Sequence, residues 1–196
     1  MNVVVVKYNA GNTQSVLNAL AKLPCNAILS DDPALIRNAD KVIFPGVGHA
    51  SSAMADLAKT GLDEVIKNLN QPVLGICLGM QLMCSFSEEG NTEGMGIFRD
   101  RVLLFDKGQV KVPHMGWNPI KCKDSALFSG MDEAFMYHVH SYYVPDNPQS
   151  IASTQYGNTV FSSAMQQNNF YAVQFHPEKS GAEGSKILKN FITLCK

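Results

Sequence analysis

The sequence lacks the cysteine spacing that is typical of zinc-binding and disulfide-rich proteins. Its five cysteines are odd in number and far apart, without a Cys-x-x-Cys pair or a histidine at zinc-finger spacing. We therefore expect free thiols and no structural zinc ion. The five are Cys25, Cys77, Cys84, Cys122 and Cys195.

Excess charge and long apolar runs are also absent. The 16 basic and 17 acidic residues give a formal net charge of −1, so nothing indicates a partner such as nucleic acid or an acidic membrane. The four valines at positions 3–6 are too few for a signal-peptide core or a membrane span, and no basic segment precedes them. We expect a soluble cytoplasmic enzyme without a cofactor or a metal ion.

Strand-like and helix-like patterns alternate through the first half of the chain. This alternation predicts a parallel sheet with right-handed crossovers, in which functional sites lie beyond the carboxyl ends of the strands. The helical patterns lie between the strands, and Pro24 is expected to stop the first helix. The expected strands cover residues 3–6, 26–29, 41–44 and 73–76.

The second half contains short strand-like segments that are separated by turn-rich pieces. Such segments favour antiparallel pairing beside the parallel sheet, and residues 185–194 form an amphipathic final helix. The predicted fold class is therefore α/β, with a mainly parallel central sheet flanked by helices, additional antiparallel strands in the second half, and one domain over residues 1–196. The expected strands are 98–105, 118–121, 135–140, 151–155, 159–166 and 170–175.

Cys77 follows the apolar strand 73–76 and precedes a helical pattern, with Gly75 and Gly79 two positions to either side. Small flanking residues are needed where a strand turns sharply into a helix. The pattern predicts a nucleophile elbow that carries cysteine near the positive end of a helix dipole, where a thiolate is favoured. The alternative is a buried core cysteine that happens to follow a strand.

His176-Pro177-Glu178 follows another apolar segment. The proline keeps His176 extended and blocks an immediate helix, and in an extended chain the imidazole and the carboxylate point the same way. The pair is a candidate general base with its orienting group, as a cysteine nucleophile requires. A solvated surface turn is the competing interpretation of this tripeptide.

The turn 45–48 contains Gly46 and Gly48 and lies at the end of the third strand. A glycine-rich turn can present a backbone N–H to an oxyanion, and the N–H of Leu78 is the expected second donor. An ordinary strand-to-helix turn is the alternative. A phosphate-binding loop is disfavoured because no Gly-Lys-Ser/Thr follows.

Together these motifs resemble the class I (triad) glutamine amidotransferases, whose elbow reads Gly-x-Cys-x-Gly and whose base pair reads His-Pro-Glu. The resemblance covers essentially the whole chain. It is most specific to the glutaminase subunits of imidazole glycerol phosphate synthase in histidine biosynthesis. The stretches that carry it are 45–48, 75–81, 113–118, 139–142 and 174–178.

The resemblance implies that Cys77 attacks the side-chain amide of glutamine and that His176 protonates the departing ammonia. It also implies a heterodimer with a (β/α)₈ cyclase subunit, which receives the ammonia. By the same comparison, Gly46, Gln81, Glu89, Ser141 and Tyr142 contact glutamine, whereas Trp117, Tyr137 and Lys179 lie at or near the subunit interface.

The first loop departs from the family pattern Asp-Tyr-Gly-x-Gly-Asn, because residues 7–12 read Lys-Tyr-Asn-Ala-Gly-Asn. Asn9 can adopt a left-handed conformation in place of glycine, whereas the ion-pair partner of Lys7 cannot be assigned.

Two other functions remain open. One is a class I glutaminase for anthranilate or guanine nucleotide synthesis, and the other is a non-catalytic protein in which Cys77 senses oxidants.

Overall fold

The computed structural model describes residues 1–9 and 12–196. Its first half alternates strands with helices, as the sequence predicts. The elements are β1 (Asn2–Val6), α1 (Thr13–Leu20), β2 (Asn26–Ser30), α2 (Pro33–Arg37), β3 (Lys41–Gly46), α3 (Ala50–Thr60), α4 (Leu62–Lys67), β4 (Val73–Cys77) and α5 (Leu78–Met83).

The second half consists mainly of strands and ends in a helix. The elements are β5 (Phe86–Ser87), β6 (Thr92–Glu93), β7 (Arg101–Leu104), β8 (His114–Cys122), β9 (Glu133–His140), β10 (Tyr142–Tyr143), β11 (Ser150–Tyr156), β12 (Thr159–Gln167), β13 (Phe170–Val173) and α6 (Gly181–Thr193). Two short 3-10 helices cover Ala126–Phe128 and Pro177–Lys179.

Over residues 1–9 and 12–196, nine of these strands form one mixed sheet in the order β2-β1-β3-β4-β13-β12-β11-β8-β9. The strands from β2 to β13 are parallel, and β12, β11, β8 and β9 pair in antiparallel fashion beyond them. The predicted fold class is therefore confirmed. A second, small sheet joins β10, β7, β5 and β6.

Apolar side chains cover both faces of the parallel strands β1, β3 and β4. In β1, Val4 and Val6 face a core made with α2, α3, α4 and α5, whereas Val3 and Val5 face a second core made with α1 and α6. This two-sided burial explains why the strands read as uninterrupted apolar runs. The helices thus cover both faces and leave the carboxyl ends of the strands to form the site.

Several predicted boundaries differ from the structure. Helix α1 ends at Leu20, three residues before the end expected next to Pro24. The strand expected over 98–105 is confined to Arg101–Leu104, and β8 begins four residues earlier than Asn118, at His114. The final helix begins at Gly181 instead of Ser185.

The first loop is only partly described. Lys7 forms an exposed ion pair with Asp31 at 3.5 Å, and the backbone N–H of Asn9 donates to Asp56. Ala10 and Gly11, the other residues of the departing loop sequence, lie outside the described residues. In the part of the chain that the structure describes, no helix has the length and apolar character to cross a membrane.

Candidate active site

Cys77 lies at the junction of β4 and α5 with a positive φ of 53°. The residues two positions to either side of Cys77 have to be small. A Cβ atom on Gly75 would lie 2.8 Å from the sulfur of Met83, and one on Gly79 would overlap the carbonyl oxygen of Phe44. Glycine therefore lets the helix pack directly against the sheet while Cys77 is held in a strained conformation.

His176 follows β13, the neighbour of β4 in the sheet. Its Nδ1 lies 2.8 Å from Oε1 of Glu178, and both side chains are only 2% exposed. The expectation that a helix could not follow at once is wrong, because the 3-10 helix begins at Pro177. Proline is favoured at the first helical position, and only His176 itself has to stay extended.

The surroundings of His176 favour its charged form. Burial lowers the pKa of the imidazole, but the neighbouring Cys77 and Glu178 outweigh burial and raise the pKa to about 10. The geometry between Cys77 and the ring is not that of a formed hydrogen bond, and His176 Nε2 has no partner within residues 1–9 and 12–196. A proton on Nε2 is therefore free to reach the sulfur or a bound substrate.

The backbone around His176 is anchored to the neighbouring strand. Its N–H donates to the carbonyl oxygen of Tyr137 at 3.0 Å, and Ser180 Oγ donates to the carbonyl oxygen of His176 at 2.6 Å. The same Ser180 Oγ accepts from the N–H of Tyr137. The candidate base is therefore tied to β9.

A cleft of about 300 Å³ opens at these strand ends. It brings together nine of the residues singled out from the sequence, whereas Glu178 lies behind His176 and Gly46 lies beneath the elbow. A Cβ atom on Gly46 would lie 2.9 Å from the backbone nitrogen of Gly79. The cleft is lined by Val47, Gly48, Cys77, Leu78, Gln81, Glu89, Pro113, Val139, His140, Ser141, Tyr142, His176 and Lys179.

Buried amides connect Cys77 to the opposite wall of the cleft. Gln81 Nε2 donates to the carbonyl oxygen of Tyr142 and to Oε1 of Gln174, each at 3.0 Å. Gln174 Nε2 in turn lies 3.7 Å from the sulfur of Cys77. No role was predicted for Gln174, although it is the first residue of the 174–178 stretch that carries the family resemblance.

Two further cleft residues have defined supports. Glu89 Oε2 accepts from the N–H of Ala50 at 2.8 Å, which holds the carboxylate at the start of α3. Gly48 has φ 109°, a conformation that suits glycine, and no atom would lie within 4 Å of a Cβ there. Leu78 is the first residue of α5, where an N–H has no intrahelical acceptor.

The outer face of the β8–β9 hairpin is unusually apolar. Met115 is 63% exposed, Trp117 53% and Phe135 58%. Trp117 and Tyr137 are directly opposite in register, with ring centroids 6.1 Å apart. The same row of side chains continues to Val139 at the cleft, so this apolar face reaches the candidate site. Large exposed apolar patches mark interaction surfaces.

The fold is a mixed α/β sheet, and its site places a cysteine elbow beside a histidine–glutamate pair. Comparison with known protein families leads to the same class of protein. The family model for class I glutamine amidotransferases matches residues 4–195. The chain therefore belongs to the class I glutamine amidotransferase family.

Two curated relatives are similar to the chain over its full length. The chain is 54% identical to the imidazole glycerol phosphate synthase subunit HisH of Bacteroides fragilis, over 99% of this chain and 100% of that protein. It is 44% identical to the subunit of the same name from Escherichia coli, with the same coverage. A solved structure of PurLQS from Thermotoga maritima shares the fold, with a TM-score of 0.73 and 16% identity over 100% of this chain and 99% of that one.

Proposed function

We propose that this chain is the glutaminase subunit of imidazole glycerol phosphate synthase, and that it supplies ammonia for histidine biosynthesis in the cytoplasm as one domain. The supporting observation is the cleft that contains Cys77 and His176, with Glu178 bonded to the far side of the imidazole. The full-length relatives carry the name of this subunit. All five cysteines of the chain are free thiols, as is usual in a reducing compartment.

In the proposed reaction the thiolate of Cys77 attacks the side-chain amide carbon of glutamine and forms a carbon–sulfur bond. The carbon–nitrogen bond then breaks, and His176 gives its proton to the departing ammonia. Water attacks the resulting thioester while His176 accepts one of its protons, which releases glutamate and restores the thiolate. Glu178 keeps the proton of Nδ1 in place and stabilises the imidazolium.

Attack on the amide moves negative charge onto the carbonyl oxygen. We assign its stabilisation to the backbone N–H groups of Leu78 and Gly48, two residues that line the cleft with Cys77. Because glycine at position 48 permits several backbone conformations, this turn is also the segment that we expect to rearrange when a partner activates the enzyme.

Glutamine is proposed to lie in the cleft between the elbow and the opposite wall. Gln81 and Glu89 line the cleft together with Ser141 and Tyr142, whose backbone is the proposed contact. Gly46 acts indirectly, since its lack of a side chain lets Leu78 and Gly79 approach β3. The assignments rest on the position of each residue in the cleft or directly beneath it.

The proposed partner is the (β/α)₈ cyclase subunit, which would receive ammonia directly. Trp117 and Tyr137 lie on the apolar face of β8–β9, and Lys179 lines the cleft. Aromatic residues at the centre of an interface are frequent sources of binding energy. A partner on this face would also cover the cleft, so ammonia would not escape to solvent.

The test is glutamate release from glutamine by the purified chain, alone, with the cyclase subunit, and with that subunit and its nucleotide ligand. We expect a large rise on adding the liganded cyclase, and near-complete loss with Cys77→Ala or His176→Ala. Cys25→Ala is the matched control, because its half-buried thiol lies near β2 and should leave the rate unchanged. Strong activity that ignores the cyclase would refute the proposed partner, whereas no activity in any arm would refute the glutaminase.

A further inference from the structure

Three buried histidines form a cluster behind one wall of the cleft. His114 of β8 is directly opposite His140 of β9, and His138 precedes His140 by two residues on the same face. Their exposed fractions are 1%, 6% and 0%. One ring nitrogen from each residue lies within 4.8 Å of the others. None of the catalytic steps above uses these convergent nitrogens.

The outward bonds of two rings determine which nitrogens carry protons. His140 Nδ1 lies 2.7 Å from the carbonyl oxygen of Tyr142, which can only accept, so Nδ1 is the donor. His114 Nε2 lies 2.8 Å from Oδ1 of Asn118 and, with the amide in this orientation, donates to it. In neutral rings, the inward atoms His114 Nδ1 and His140 Nε2 are then both unprotonated.

These two lone-pair atoms face each other at 3.1 Å, and His138 Nδ1 lies 3.3 Å from the same His140 nitrogen. Two unprotonated nitrogens at this separation repel each other unless a cation lies between them. Zn–N bonds of about 2.0–2.1 Å at tetrahedral angles place ligand nitrogens about 3.3 Å apart. The two separations that meet at His140 Nε2 match that spacing.

The remaining surroundings also suit a metal ion. Ligating histidines usually donate their other N–H to a carbonyl or carboxylate group, as His140 and His114 do here. His138 lacks such a support, because its Nε2 is buried without a partner among the described residues. Metal ions bind the neutral form of histidine, and all three rings are buried together.

We propose that His114 Nδ1, His138 Nδ1 and His140 Nε2 bind one Zn²⁺ ion. Three neutral imidazoles suit this borderline-soft cation, and water from the cleft would take the fourth position. His140 lines the cleft and so provides a route of entry. The ion would join β8 to β9 and, through the bond from His140 to Tyr142, would brace the wall of the glutamine cleft.

The competing arrangement is a hydrogen-bonded cluster without metal. If the amide of Asn118 were turned over, His114 Nδ1 would carry the proton and would donate to His140 Nε2. That arrangement has no lone-pair conflict and no affinity for a cation. A direct measurement of metal binding therefore distinguishes the two arrangements.

The experiment uses the full chain as the Cys77→Ala variant, so that the thiol beside His176 cannot hold the ion. Metal-free protein is titrated with Co²⁺ as a spectroscopic probe and then with Zn²⁺ in competition with a chelator. We expect one ion per chain, visible absorption of four-coordinate Co²⁺, and no thiolate-to-cobalt band. Binding should also raise the thermal midpoint Tm of unfolding.

In the same background, His138→Phe should weaken Zn²⁺ binding by more than about 100-fold, because changes in outer-shell partners alone cost about 10- to 100-fold. His49→Ala is the control, since its exposed ring lies at the start of α3, and it should bind as the parent does. The proposal would be overturned if the Cys77→Ala parent did not bind one ion per chain, or if bound Co²⁺ showed a thiolate-to-cobalt band. Both results count whether or not His138→Phe folds. Unchanged affinity in a folded His138→Phe protein would overturn it as well.

Discussion

Replacing Glu178 by glutamine tests the proposed role of the buried histidine–glutamate pair. The substitution keeps the shape of the side chain but removes the charge that lies 2.8 Å from His176 Nδ1. Hydrogen bonds to charged groups contribute about 1.5–3 kcal/mol. With about 1.4 kcal/mol for each factor of ten in rate, Glu178→Gln should lower kcat/KM for glutamine by about 10- to 150-fold.

The same change should move the pH dependence in a defined direction. Cys77 and Glu178 together raise the pKa of His176 to about 10 against the opposing effect of burial. Without the carboxylate the imidazolium is less stable, so the alkaline fall in kcat/KM should begin at a lower pH.

A group with a raised pKa stabilises the fold fully below its unfolded value of 6.5, and this contribution is lost as the pH rises through about 10. The stability deficit of the variant should therefore be largest near or below pH 6.5 and should shrink on the alkaline side.

The assay is steady-state glutamate release with the activating partner present, across the pH range, together with thermal unfolding. Glu183→Gln is the matched control, because this glutamate is exposed in the first turn of α6 and touches none of the cleft residues discussed here. A loss in kcat/KM below about threefold, or ~0.7 kcal/mol, with an unshifted alkaline limb would refute the reasoning.

Three further predictions concern packing, the partner face and the first loop. Gly79→Ala should cost about 2 kcal/mol or more and lower Tm by about 4–8 °C, because the added Cβ meets the carbonyl oxygen of Phe44. Trp117→Ala should leave Tm nearly unchanged but weaken cyclase binding by about 30-fold, the scale of an interface hot spot. Lys7→Ala should shift Tm by less than about 2 °C, since its pair with Asp31 is exposed.

Each of these predictions has a control or a contradicting result. Gly108→Ala adds the same methyl group at an exposed turn, where the Cβ would meet only the flexible side chain of Asp106 at 3.2 Å, and should lower Tm far less. Leu35→Ala removes an exposed apolar side chain from α2, near the opposite edge of the sheet, and should not change the affinity for the cyclase. Unchanged partner affinity in Trp117→Ala would exclude that side chain as an anchor. A large loss of stability in Lys7→Ala would show that the loop ion pair is more than a surface contact.

Most of the parallel half of the sheet could be predicted because β1, β3 and β4 are buried on both faces, whereas the edge strand β2 is largely exposed. Uninterrupted valine, isoleucine and leucine runs need no knowledge of tertiary structure to be recognised. Strands β1 to β4 accordingly lie within two residues of the expected ranges. The two-residue strands β5, β6 and β10 were missed, since a pair of residues has no periodicity to detect.

Strand β8 shows why the antiparallel half was harder to delimit. Its first part contains Gly116 and follows Pro113, both of which suggest a turn. Its alternation is also unusual, because His114 faces inward while Met115 and Trp117 face solvent. A pattern of inward polar and outward apolar residues contradicts the usual rule for half-buried strands, so the strand was expected to begin only at Asn118.

The candidate site also has a part that the sequence predicts and a part that it does not. Cys77 and His176 each end a recognisable strand, and parallel neighbours bring such ends together. The contact of Gln174 with Gln81 and the meeting of His114 with His140 depend on side-chain direction and on register between strands. Sequence spacing carries neither quantity, and the histidine cluster therefore had no signal before the fold was known.

The order in which the chain leaves the ribosome has a consequence for when it can first release ammonia. Strand β13 lies between β4 and β12 in the sheet, yet it is the last strand to be synthesised. The apolar face on β8 and β9 emerges earlier, and His176 follows only after β13. In the proposed mechanism an unfinished chain therefore has the thiol of Cys77 but lacks the base. Ammonia release by that mechanism has to wait for nearly complete synthesis.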